Sequence, residues 1–137
     1  MSAWRRTAIE KLPNYRKLIE QSANISEFWG EITAEFAKAH RDPIDEAIIG
    51  KVYEFAWWVV GESDIADTAL VWFFEDLPTD RRVRELLPRF MSRDQFLGMI
   101  EIFKYPLSAE DHAEFVRDFL KQRAIFERFG DNGYATR

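Results

Sequence analysis

Three groups of side chains in this sequence have the types to carry chemistry: the carboxylates, two histidines and a run of arginines. The acids are densest at Glu54, Glu62, Asp64, Asp67, Glu75 and Asp76. Carboxylates sharing a cleft can act as an acid–base pair or hold magnesium. Their spacing argues against that use. Glu62, Ser63 and Asp64 have the composition of a helix start, and Glu75 and Asp76 that of a turn. Asp64 and Asp67 are followed one turn later by Thr68 and Val71, so the acids form no clean cluster. His40 falls at an expected helix end, where a cationic ring suits the dipole. His112 falls in the first turn of the last helix. Neither has a motif partner. No Glu-x-x-His, His-Glu-x-x-His, P-loop or Gly-x-Ser-x-Gly occurs, and the six glycines are too scattered for a dinucleotide fingerprint. No catalytic residue, metal ligand or cofactor is assigned, and the reading leans away from an enzyme.

Arg81, Arg82, Arg84, Arg89 and Arg93 make a local basic patch that could hold a phosphate or an acidic partner. Asp80 and Glu85 interrupt it, and it lacks the interleaved aromatics that stack bases. Internal salt links are the better reading, with the acidic stretch 24–78 as the counterpart. That stretch holds three Lys/Arg against twelve Asp/Glu, within a chain of net charge −5. It disfavours nucleic acid, which needs a basic face, and favours a basic protein partner.

At 137 residues and 47% apolar content the chain can bury a core without staples, and one helical domain is expected over 1–130, followed by a flexible tail at 131–137. It has no cysteine, which removes disulfides and thiolate chemistry and fits a reducing cytoplasm. The start, MSAWRRTAIEKLP, lacks the apolar core of a signal peptide. The longest apolar run, Phe55 to Val60, is far short of the ~20 residues of a membrane span. A soluble, cytoplasmic protein is expected.

Apolar residues recur at helical spacing throughout, and no convincing alternating segment gives ALVWFF a strand partner. Trp4 to Ser22 reads as helix with Pro13 as its candidate break. Asn24 and Glu27 have capping-box spacing and open a helix to about His40. Asp42 and Pro43 read as the N-cap and first position of a central helix ending at Gly61. Ser63 reads as the cap of an aromatic helix over Ile65 to Phe74. Thr79 reads as the next cap, for a helix that ends or kinks near Leu87 because of Pro88. Ser92 and Gln95 open Arg93 to Lys104. Ser108 caps the last helix, whose inner face is Phe115, Phe119, Phe126 and Phe129 and whose stop is Gly130. The expected fold is all-α, a compact irregular bundle of six to eight helices, with a short α-solenoid-like stack of hairpins as the alternative.

The central helix is apolar around most of its circumference, with Glu46, Gly50, Glu54 and Gly61 as its narrow polar face. Trp57 lies about 20° from Gly50 on that face, whereas Trp58 leans about 80° from Gly50 towards the apolar side. Trp57, flanked by Glu46, Glu54, Tyr53 and Lys51, is the candidate aromatic anchor of a binding surface; a covered face that makes it core is the alternative. Trp58, Trp72 and Phe73 are candidate linings of an apolar pocket between the two aromatic helices.

The run LVWFFEDLPTDRRVRELLPRFMSRDQFLGMIEIF resembles the central portion of an uncharacterised family of small bacterial all-helical proteins. There an aromatic helix is followed by a Glu-x-Leu-Pro-type turn and a Leu-Leu-Pro helix end. The resemblance implies an immunity or accessory partner of toxins and supplies no catalytic residues. The leading expectation is a non-enzymatic interaction module that binds a basic partner through an acidic face with an aromatic anchor. A small-molecule-binding or catalytic helical domain and a homodimer paired across the central helix are the rivals.

Overall fold

The computed structural model describes residues 1–129. Among them the fold is all-α, with eight α-helices, three short 3-10 segments and no strand. The chain divides into two compact units, Met1–Phe73 and a second that opens at Phe74. The stop expected at Gly130 and the tail expected over 131–137 lie outside the described residues.

The first unit holds α1 (Ala3–Lys11), a 3-10 turn (Pro13–Tyr15), α2 (Arg16–Gln21), α3 (Ile25–Ala39), α4 (Glu46–Val60) and α5 (Ala66–Trp72). Pro13 splits the N-terminal helix because it has no N–H to continue the ladder. Asn24 caps α3 by accepting from the Glu27 N–H at 2.9 Å. The central helix starts later than its sequence suggests. Asp45, not Asp42, is the cap, and its carboxylate takes the Ile48 N–H at 3.1 Å. Residues 41–43 form a bend instead, with a cis Asp42–Pro43 peptide. Ser63 likewise does not cap α5; the 62–66 turn closes through the Glu62 carbonyl, which accepts from Ile65 and Ala66.

The core of this unit is a continuous aromatic cluster. Trp29 on α3 stacks on Phe73 (centroids 5.4 Å) and lies 5.4 Å from Phe55 on α4. Phe36 meets both Tyr53 and Phe73 edge-on, at 5.2 and 5.0 Å. Such tilted and edge contacts add to the burial of large apolar area.

The second unit holds a 3-10 segment (Phe74–Thr79), α6 (Arg81–Phe90), α7 (Arg93–Gly98), a further 3-10 turn (Ile102–Lys104) and α8 (Ala109–Phe129). Asp80 caps α6, accepting from the Arg82 and Val83 N–H groups at 2.9 and 3.2 Å. Thr79, expected in that role, instead donates its hydroxyl to the Asp76 carbonyl at 2.7 Å. α6 runs past Leu87 through Pro88 to Phe90. The ladder resumes beyond the proline, where the Met91 N–H reaches the Leu87 carbonyl at 3.0 Å. The helix expected over Arg93 to Lys104 breaks in two at Gly98, a residue that costs a helix ~1 kcal/mol relative to alanine.

Ser92 and Gln95 form the reciprocal capping box, with the Ser92 hydroxyl on the Gln95 N–H (3.1 Å) and the Gln95 side chain on the Ser92 N–H (2.9 Å). Ser92→Ala is expected to cost about 1 kcal/mol of stability, measured as a shift in the urea midpoint at constant slope. Below α7, Phe96 stacks flat on Phe119 at 3.7 Å, with Phe103 and Phe115 each 5.4 Å from it. Phe115 and Phe119 are buried, as their spacing suggests. Phe126 is only half-buried and Phe129 is 78% exposed. The place one turn beyond Phe119 is taken by Arg123, which is 1% exposed.

Candidate functional site

The flank drawn around Trp57 does not stay together. Tyr53 is 2% exposed and sits in the aromatic core, where burial pushes its phenol well above the ordinary tyrosine range. That removes it from any binding surface: it lies on the side of α4 that meets Phe36 and Phe73. Gly50, the centre of the expected polar face, is also buried. α1 packs against α4, and Lys11 at its end reaches within 3.9 Å of Glu54. Glu54 also meets the exposed Lys51 at 3.5 Å. Trp57 and Glu46 are half-buried. The face expected to be an open acidic strip is thus partly covered, with Glu54 held by two lysines.

The three pocket candidates also part company. Phe73 is enclosed by Trp29, Phe36 and Tyr53. Trp58 is half-buried and stacks on Phe55 at 6.1 Å. Trp72 is 51% exposed, and its neighbour Val71 is 50% exposed. The reason is helical geometry in a short element. α5 turns Thr68, Ala69 and Phe73 toward the core, Thr68 accepting the Trp29 indole N–H at 3.0 Å. Asp67 and Val71, one turn apart, are left facing solvent, and Trp72 is exposed at the last residue of the helix. Asp64 is exposed just ahead of the helix. The more exposed tryptophan of the two is therefore Trp72, on a short helix that also exposes Asp67, and not the half-buried Trp57. The cue was the polar side of a seven-residue helix, too short for its periodicity to stand out.

In the second unit the arginines pair as expected but with different acids. Arg81 and Arg82 bond Glu85 at 3.0 and 3.4 Å, Arg84 bonds Asp111 at 3.0 Å, and Arg93 bonds Glu127 at 2.7 Å. The Glu127 hydrogen bonds and charge push the Arg93 guanidinium further up from its already high pKa. The partners lie on α6 and α8, not in the acidic stretch 24–78, because i,i+3 and i,i+4 spacing on α6 and the packing of α6 and α7 against α8 bring these charges close. α6, α8 and the 106–107 turn enclose a cleft of about 870 Å³. Pro88, Phe115 and Phe119 line it along with Arg84, Asp111, Glu114 and Asp118.

Both histidines are structural. His40 is buried with Nδ1 2.7 Å from the Phe36 carbonyl, and His112 Nε2 lies 2.9 Å from the Ile100 carbonyl. Among the described residues no group of three His, Cys, Asp or Glu side chains is arranged to hold a metal, and no helix is long and apolar enough to cross a membrane. No protein-family model, curated protein or solved structure matches this chain, so its candidate sites stand on their geometry alone.

Proposed function

We propose that the chain is a non-enzymatic interaction module that binds a basic protein partner through the first unit, with Trp72 as its aromatic anchor. The observation that carries this reading is Trp72, half-exposed with its chain neighbour Val71 at the end of a short helix around whose start Asp64 and Asp67 are also exposed. A large aromatic held at a surface has a buried partner face to gain, and an acidic rim selects and steers a basic one. The first unit holds eight Lys/Arg against twelve Asp/Glu, and five of those eight fall before residue 24. The helices that follow are the acidic part. An immunity or accessory role suits such a module.

The test is capture on immobilised wild type, Trp72→Ala and Trp57→Ala at low and high salt, followed by titration of the purified retained protein. Wild type and Trp57→Ala should retain a basic protein at low salt. Trp72→Ala should bind it at least 10-fold more weakly, a loss of about 1.4 kcal/mol or more. Its own unfolding should move by less than about 0.5 kcal/mol, the usual range for surface changes. Equal retention by Trp72→Ala would remove the anchor. Recovery of nothing but further copies of this chain would replace the partner by self-association.

A further inference from the structure

The cleft of the second unit lies apart in sequence from Trp72 and carries an inference of its own. At about 870 Å³ it falls within the ~300–1,000 Å³ of typical ligand sites. Its α6 rim is already neutralised, Arg81 by Glu85 and Arg84 by Asp111. Glu114 and Asp118 on the α8 rim are different. Both are exposed, and neither carboxylate makes a hydrogen bond or ion pair with another described residue. Like charges one turn apart weaken a helix, and a cation seated between them reverses that effect. Lys121, one turn beyond Asp118, makes no ion pair with either.

The same cleft shows how an arginine is held here. The Arg84 guanidinium sits 4.9 Å from the centre of the Phe115 ring while its Nη2 bonds Asp111 at 3.0 Å. A planar guanidinium can stack on an aromatic and serve two carboxylates at once, which a lysine ammonium cannot do with the same geometry. One such side chain fills only part of the volume. Pro88, Pro106 and Leu107 supply apolar surface for the residues on either side of it. We propose that the cleft binds an extended peptide segment through one arginine, whose guanidinium bridges Glu114 and Asp118.

The experiment uses the full chain and a fluorescein-labelled, end-blocked Ala-Leu-Arg-Leu-Ala peptide, read by anisotropy. The control peptide carries citrulline, which keeps the shape of arginine and loses its charge. Wild type should bind the arginine peptide at least 10-fold more tightly than the citrulline peptide. The double variant Glu114→Gln/Asp118→Asn should lose that preference while its circular dichroism spectrum is kept. Glu110→Gln removes a charge on the same helix outside the cleft and should bind as wild type does. Equal affinity for both peptides, an unchanged preference in the double variant, or no binding of the arginine peptide at millimolar concentration would each overturn the proposal. An equal loss in Glu110→Gln would do so too, by reducing the effect to general charge.

Discussion

Trp29→Ala is expected to destabilise the first unit by about 3–5 kcal/mol, the cost of emptying a large aromatic site in a packed core. Trp29 is fully buried and meets three aromatic rings of its unit: Phe28 on its own helix, Phe55 on α4 and Phe73 just past the end of α5. Its indole N–H also bonds the Thr68 hydroxyl, which in turn donates to the Ile65 carbonyl at 2.7 Å. Removing the ring thus leaves a cavity among three helices and takes away the polar link that fixes α5. Thr68→Val tests the link separately. It leaves the indole donor without that acceptor and should cost about 1–3 kcal/mol. All five tryptophans lie before residue 73, so tryptophan fluorescence in a urea titration reads this unit alone. A loss under 1 kcal/mol in Trp29→Ala would mean that the cluster collapses onto the space or was never tightly packed.

Arg123→Ala should have the largest effect in the second unit, about 3 kcal/mol, through lost charge-assisted hydrogen bonding and lost packing of the aliphatic stem. Pro88 lies in the last turn of α6, where carbonyl groups have no partner within their own helix. Arg123 Nη1 reaches across from α8 and donates to the Pro88 carbonyl at 3.0 Å. A cation at a helix C-terminus is also favoured by the dipole. Its Nε lies 3.8 Å from Glu127, which Arg93 holds at 2.7 Å, so two arginines share one carboxylate. The buried guanidinium therefore closes the end of α6 from a neighbouring helix. Arg123→Met keeps most of the stem and removes the donors, and should fall between wild type and alanine. Hydrogen exchange along α6 and α8 is the measurement: protection should drop in both helices. If only α8 loses protection, Arg123 does not tie the two together.

The difference between expectation and structure follows from the range of each interaction. Local capping was legible at Asn24, Ser92 and Ser108 because the bond spans three residues and depends on little else. It was misread at Asp42 and Thr79, where a second acceptor nearby, Asp45 or Asp80, has the better placement. The periodicity of α8 named Phe115 and Phe119 correctly. It then preferred Phe126 and Phe129 to Arg123, since an arginine signals a solvated face unless a carbonyl waits opposite. That carbonyl belongs to another helix.

The candidate sites were less legible for the same reason. Angular position on α4 located Trp57 and Glu54 relative to each other, but not α1, whose packing covers part of that face. Tyr53 had the composition of a rim residue and became core because α3 and Phe73 lie against it. By itself the sequence determined the all-helical class, three of the six expected helix caps and the acidic character of the stretch 24–78, because these rest on periodicity, local hydrogen bonds and charge counts. The tertiary structure alone decided which tryptophan faces solvent, which acids the arginines meet and that a charged side chain fills a core position. Those outcomes depend on residues far apart in the chain, whose approach only the packing of whole helices can fix.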